Sequence, residues 1–185
     1  MAIERWFEAG DGLEFVVQLL NSWDDLEPDP ELLRDASVVE RFLRRFGLDD
    51  AAGLADETHV AAMRELRTRL RAAWTAPDDE TAVSQLNDLA HDHERAPRLV
   101  RVDGGWSYRW DCPGEPVSAF APAMSAAALL DEIRTHGRRR LGVCVAGPCR
   151  CVFVDRSRGR TRRFCCTKCA DRHNQAAWRR RKRGG

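Results

Sequence analysis

The chain lacks most of the features that announce a membrane protein or an enzyme. No apolar run approaches the roughly 20 residues needed to cross a bilayer, and no early segment joins a basic start to an apolar stretch and a small-residue cleavage site. Both absences lead to the expectation of a cytoplasmic protein with no membrane partner. There is no His-Glu-x-x-His, no phosphate-cradling glycine loop and no nucleophile elbow. The one histidine cluster, His91-Asp92-His93-Glu94, places its imidazoles two apart, on different sides of a helix, and reads as a polar helix end. The expectation is therefore a protein that is not an enzyme. Acidic residues are nearly missing from the tail. From Arg138 to Gly185, 16 Lys and Arg face only Asp155 and Asp171, a net of +14, whereas residues 1–137 carry −13 and the whole chain only +1. Such an asymmetry points to nucleic acid or another polyanion as the partner of the tail.

What the tail does have is cysteine. Cys144-Val-Ala-Gly-Pro-Cys149 is followed, after fifteen residues, by Cys165-Cys-Thr-Lys-Cys169. Each short spacing lets two sulfurs reach one ion, and the intervening segment folds back to join the pairs, which is the pattern of a tetrahedral Zn²⁺ site. The chain's seven cysteines are odd in number and crowded, and a reducing compartment disfavours disulfides, so zinc is the expected cofactor. The preferred ligands are Cys144, Cys149, Cys165 and Cys169. Cys151 is the alternative to Cys149, although it suits a small buried residue of the following strand. Cys166 is the alternative to Cys165, which has the better i, i+4 relation to Cys169 on a helix. Cys112 is remote and reads as an ordinary thiol. A four-thiolate site is closed, which makes its metal a folding staple and leaves no open catalytic position.

The acidic part reads as mostly helical. Gly12 to Asn21 is apolar enough for a buried helix or strand. Ser37 to Phe46 reads as a helix with Ser37 as N-cap, Glu40 completing a capping box, and Gly47 as its left-handed stop. Asp56 to Trp74 carries Val60, Met63, Leu66, Leu70 and Ala73 on one face, with Arg64, Arg67, Arg69 and Arg71 expected on a solvated one. Pro77 and the carboxylates of residues 78–80 open a helix through Leu86 and Leu89 to about Arg95. The alternation of Arg98–Asp103 and Trp106–Trp110 about Gly104-Gly105 predicts a β-hairpin. After a proline-rich bend, Ser125 to His136 forms a helix carrying Ala127, Leu130, Ile133 and Arg134 and halted near Gly137.

In the tail, Cys151–Asp155 and Thr161–Phe164 are strand-like runs around a turn, Arg156–Arg160, in which Gly159 can take positive φ. With Cys165 and Cys169 opening the final helix, the order is knuckle, hairpin, helix, a layout that resembles a treble clef. The predicted fold is α+β and mainly α: a helical domain over residues 1–137 with a hairpin near 98–110, then a treble-clef-like zinc finger over 138–185.

The tail also resembles the CGNR zinc finger family, on named residues: Cys144-x4-Cys149, the core Phe153-Val-Asp155-Arg-Ser157-Arg158, the step Arg162-Arg163-Phe164-Cys165, and the signature position Cys169-Ala-Asp-Arg172, where the family has Cys-Gly-Asn-Arg. Phe15-Val16, Leu86-Asn87 and Pro97-Arg-Leu-Val100 are similar to the ABATE domain that precedes that finger, with Val17-Gln18 where Asn-Thr often stands. The resemblance implies a stress-induced transcriptional regulator and adds an unidentified small ligand of the amino-terminal domain to the partners.

The expected function is zinc-dependent DNA binding in transcription regulation, with a structural four-cysteine finger setting a basic helix on DNA. The candidate nucleic-acid contacts are Arg158, Arg160, Arg162 and Arg163 in the loop, Arg172, His173, Asn174 and Gln175 early in the helix, and Arg179, Arg180, Arg181, Lys182 and Arg183 at its end. The terminal run points all around a helix and suits phosphates, whereas Arg172, His173, Asn174 and Gln175, or Arg158 and Arg160 at the loop tip, are the residues suited to read bases. The alternatives are a zinc-stabilised protein-interaction module and a thiol redox sensor, each with only nonspecific polyanion binding.

Overall fold

The Gly12 to Asn21 run, open between helix and strand from its periodicity, is a helix, α1 (Gly12–Leu20), in the computed structural model, which describes residues 12–93, 96–102, 105–110 and 113–183. It buries Phe15, Val16, Leu19 and Leu20 at the centre of the molecule, and fully burying each such side chain is worth about 1.5–3 kcal/mol. Phe15 meets the rings of Phe42 and Phe46 edge-on at centroid distances of 5.1 and 5.2 Å. Phe42 belongs to α2 (Ala36–Arg45), which is followed by the single turn α3 (Asp49–Ala52).

The cap of α2 corrects one expectation. Asp35, not Ser37, is the N-cap; its carboxylate accepts the Val38 N–H at 3.1 Å, while Ser37 sits inside the helix and donates its hydroxyl to Asp35. Glu40 is spent on Arg44 instead of on a capping box. Two capping residues stand two positions apart, and the carboxylate is the better acceptor for the helix end. Gly47 does take the left-handed conformation, at φ 67°.

The long helix α4 (Glu57–Trp74), capped by Asp56, buries Val60, Met63, Leu66, Leu70 and Ala73 as expected. Its arginines correct the solvated-face expectation. The segment between α1 and α2 crosses α4 and presents acceptors to it. Arg64 donates to Leu33 O at 3.0 and 2.6 Å; Arg67, 9% exposed, forks onto Glu31 and also reaches Ser22 Oγ. Arg71 holds Leu20 O at 2.7 Å, and Arg69 pairs with Asp92 at 2.8 Å.

Helix α5 (Asp79–His91) begins after Pro77, which lies just ahead of the N-cap Asp78; the Asp78 carboxylate accepts the Thr81 N–H, and the helix buries Leu86 and Leu89. Strands β1 (Arg98–Val102) and β2 (Gly105–Arg109) pair antiparallel with Leu99 opposite Tyr108. The hairpin turn at Asp103-Gly104, the expected helix end at Glu94-Arg95, and Cys112 lie outside the described residues. A 3-10 turn at Val117–Ala119 leads into α6 (Ala121–His136), which starts four residues before Ser125, with Pro122 in its first turn, where no backbone donor is needed. Its buried face is Ser125, Ala126, Leu129 and Glu132, while Ala127, Leu130 and Ile133 are only half-buried and Arg134 is exposed. Helix α6 packs on α1 and α5, and Gly137, at φ 74°, ends it. Among the described residues, no helix is long and apolar enough to cross a membrane.

Beyond Gly137 come β3 (Leu141–Val143) and β4 (Val152–Val154), an antiparallel pair with Gly142 opposite Phe153, and then the long helix α7 (Thr167–Arg183). The partner of β4 is therefore β3, not Thr161–Phe164, which forms no strand. Val152 is 1% exposed and belongs to the same core as α1, so the tail is packed into the helical body.

Candidate metal centre

Because β3 and β4 pair, the segment between them, which holds Cys144, Cys149 and Cys151, is their connecting loop. The Cys144 N–H donates to Cys151 O at 2.9 Å and closes its base, and the Cys149 N–H donates to Ala146 O at 3.2 Å and turns its tip. The Gly147–Pro148 peptide is cis. Gly142 is required in β3, since a Cβ there would fall on the ring of Phe153.

Asp155 returns the chain to this knuckle. Its N–H donates to Arg140 O at 2.7 Å, and its carboxylate accepts the N–H groups of Ser157 and Arg162 at 2.8 and 2.9 Å, gathering the loop that follows β4. The Ser157 hydroxyl and these backbone groups hold its carboxyl below the usual carboxylate range. The positive φ expected at Gly159 falls instead on Arg160, at 52°. The Val145 N–H then donates to Arg163 O at 3.1 Å, laying Phe164 and Cys165 against the knuckle.

Four sulfurs converge there. Those of Cys144, Cys149, Cys165 and Cys169 all lie within 4.8 Å of one another, with Cys149 to Cys165 at 3.7 Å and Cys165 to Cys169 at 3.5 Å. A tetrahedron with Zn–S of about 2.3 Å requires S···S of about 3.8 Å, so the spacing and the all-thiolate donor set both fit Zn²⁺. Cys144, Cys149 and Cys169 are buried and Cys165 is half-buried. Cys169 stands in the first turn of α7, but Cys165 lies two residues ahead of the helix, so the two do not share a helical face as the i, i+4 spacing suggested. The two alternatives lie close by in different settings. Cys166 is exposed, with its sulfur 3.9 Å from that of Cys165, and Cys151 is a buried residue leading into β4. Hydrogen bonds from Cys151 and Cys165 hold Cys149 far below a normal thiol, bonding to Cys149 drives Cys165 up, and burial pushes Cys169 up to about 12. A divalent ion would supply the charge needed to hold all four as thiolates.

The expected nucleic-acid residues do not form one continuous surface. Arg172 turns inward, donating Nη2 to Ala146 O at 2.8 Å and lying 3.4 Å from Cys169 Sγ. Arg162 lies over the Phe153 ring at 4.6 Å and donates to Phe164 O and Cys165 O at 3.0 and 2.5 Å. His173 packs on Phe164 with ring centroids 5.3 Å apart. Arg158, Arg160 and Arg163 are exposed in the loop, and Asn174, Gln175, Arg179, Arg180, Arg181 and Lys182 are exposed along α7. Lys182 caps the exposed Trp178 ring at 4.4 Å. The Arg183 side chain lies outside the described residues. The support that Arg172 and Arg162 give the finger is not foreseen by sequence reasoning. Its only signal is that both arginines sit within three residues of a cysteine ligand.

No curated protein matches the chain. The CGNR zinc finger family model matches residues 140–182, the stretch that carries the four-cysteine cluster. The ABATE model, described as "Putative stress-induced transcription regulator", matches residues 13–133. Neither is an enzyme family. An ABATE region followed by a CGNR zinc finger is the order found from α1 to α7, and the chain belongs to the ABATE family.

Proposed function

We propose that the protein is a zinc-dependent DNA-binding regulator of the cytoplasm, in which the helical region up to Gly137 serves as a scaffold and the finger from Arg138 onward carries the DNA contacts. Zinc, when bound by the four cysteines, supplies a structural cross-link and no chemistry of bond making. The observation that carries the reading is the exposure of so many cations on the finger, while Arg162 and Arg172 bond to the finger's own backbone. Arg158, Arg160 and Arg163 extend from the loop, and Arg179 to Lys182 extend from α7, with Asn174 and Gln175 between them. Arg158, Arg160, Asn174 and Gln175 would reach base edges, and the terminal run would neutralise phosphates.

The test is recovery of pooled genomic fragments by the zinc-loaded full chain across a salt series, with a chelator control. A shared sequence lost on chelation is expected. Uniform recovery that vanishes with salt would reduce the tail to an electrostatic anchor.

A second reading, release of zinc on thiol oxidation, is favoured by the exposed Cys166 beside Cys165. Peroxide would then expel zinc from the wild type much faster than from Cys166→Ser.

A further inference from the structure

A cleft of about 460 Å³ lies on the seam between α4 and the cysteine knuckle, walled by Trp23, Asp25, Arg67, Arg71, Val143 and Arg150. Its size is that of a small-molecule site. Three guanidiniums line it against one carboxylate. Two of them are matched: Arg67 forks onto Glu31, and Arg150 forks onto Asp25 through Nε and Nη2, each at 2.9 Å. Arg71 is different. It is half-buried, and it donates only to two backbone carbonyls, Leu20 O from the helical body and Arg150 O from the knuckle. Of its five N–H groups two are used, and no carboxylate among the described residues pairs with it. A half-buried guanidinium with no carboxylate in hydrogen-bonding contact favours any oxyanion that can take its unused donors.

Another wall is the indole of Trp23, 39% exposed, with Nε1 donating to Asp25 at 3.2 Å and the Arg67 guanidinium over the ring, 5.7 Å from its centroid. A ring fixed in this way, with Arg67 over it, leaves exposed indole surface in the same cleft as the three unused N–H groups of Arg71. We propose that the seam cleft binds a small planar oxyanion, a carboxylate or a phosphate ester, whose anionic group is held by Arg71 and whose flat body stacks on Trp23. Arg71 bridges the helical body and the knuckle, so an occupant ties the two together more firmly.

This site stands independently of DNA binding and is tested on the zinc-loaded full chain by calorimetry with simple probes. Benzoate and phenyl phosphate combine ring and anion; acetate and inorganic phosphate carry the anion alone; benzyl alcohol carries the ring alone. Expected is saturable binding of one or both ring-bearing anions, at least about tenfold weaker binding of the matching bare anion, and no binding of the alcohol. Whichever ring-bearing anion binds identifies the anionic group. Arg71→Met should abolish the interaction, and Arg71→Lys, which keeps the charge but not the fork, should weaken it about tenfold or more. Trp23→Ala, which leaves Arg71 in place, should erase the preference for ring-bearing over bare anions. If Arg71→Met fails to fold, judged by circular dichroism and zinc content, the other two variants carry the test. Failure of both ring-bearing anions to bind, or equal binding by the wild type and the Arg71 variants, would overturn the proposal.

Discussion

Asn21 and Val152, 131 residues apart, exchange a complete pair of hydrogen bonds: Asn21 Nδ2 donates to Val152 O at 3.0 Å, and Asn21 Oδ1 accepts the Val152 N–H at 2.7 Å. The side chain at the end of α1 thus behaves as a third strand edge for β4. Asn21→Leu would leave both buried backbone groups unmatched, at about 1–3 kcal/mol each. Expected is a loss of about 2–5 kcal/mol in denaturant unfolding of the zinc-loaded protein, and Asn21→Ser should lose less.

Zinc stoichiometry should separate ligands from bystanders. One ion per chain is expected in the wild type. Serine at Cys144, Cys149, Cys165 or Cys169 should lose the ion or bind it far more weakly, while Cys151→Ser and Cys166→Ser should keep it. Metal analysis of the purified variants, with cobalt substitution to report tetrahedral thiolate absorption, checks this. Retention by Cys165→Ser together with loss by Cys166→Ser would exchange those two roles.

Arg172 braces the metal centre from α7, through Ala146 O and beside Cys169 Sγ. Arg172→Gln should therefore lower zinc affinity about 10–100-fold, the range seen when groups supporting a metal's ligands are removed. Competition with a chromophoric chelator reads this directly. Arg179→Gln, at an exposed position, should leave zinc affinity unchanged.

The Glu31–Arg67 pair gives a pH dependence of definite sign. Burial alone would raise the Glu31 carboxyl, but hydrogen bonding and charge from Arg67 outweigh it, and the group sits below its ordinary 4.5. A carboxyl depressed by folding stabilises the protein above about pH 4.5, and that contribution is lost as pH falls through the lower folded value. Stability should thus decline on acidification below about pH 4.5, and Glu31→Gln should flatten the decline while destabilising the protein at neutral pH, because it leaves the buried Arg67 without its charge partner. Urea unfolding midpoints at a series of pH values measure both effects.

Gly142→Ala should disturb the finger without touching a ligand. Its methyl group would strike Phe153, a buried ring over which Arg162 also lies, so the ring has little room to move. A cost of about 1–3 kcal/mol is expected, together with weaker zinc binding. Thermal unfolding with and without added zinc checks it.

The cysteine spacings and the apolar stripe of α4 are legible because each depends on residues near in sequence. Helix α1 can be recognised as a buried element but not assigned, since an apolar run lacks periodicity. The arginines of α4 escape a local reading because their acceptors are remote: Leu33 O for Arg64, Glu31 for Arg67, and Leu20 O and Arg150 O for Arg71. Nothing in a local pattern distinguishes such an arginine from a solvated one. The pairing of β4 is hidden for a related reason. Leu141–Val143 is too short to show alternation, and it becomes a strand only because the loop of cysteines folds it back onto Val152–Val154.

That folding back bears on how separable the parts of the chain are. The two family matches meet near residue 137, yet the bonds that matter cross this line: Trp74 Nε1 donates to Gly142 O at 3.2 Å, Arg138 reaches Ala76 O and Asp79, and buried Glu132 holds Arg156 at 2.9 Å. A chain cut at Gly137 would keep every helix from α1 to α6 but would uncover the groove in which Val152 lies and leave the Trp74 indole without its acceptor. The finger is thus less an accessory hung on a finished body than its closing piece, and grafting it onto another carrier would transplant the metal site without the surface that sets its direction.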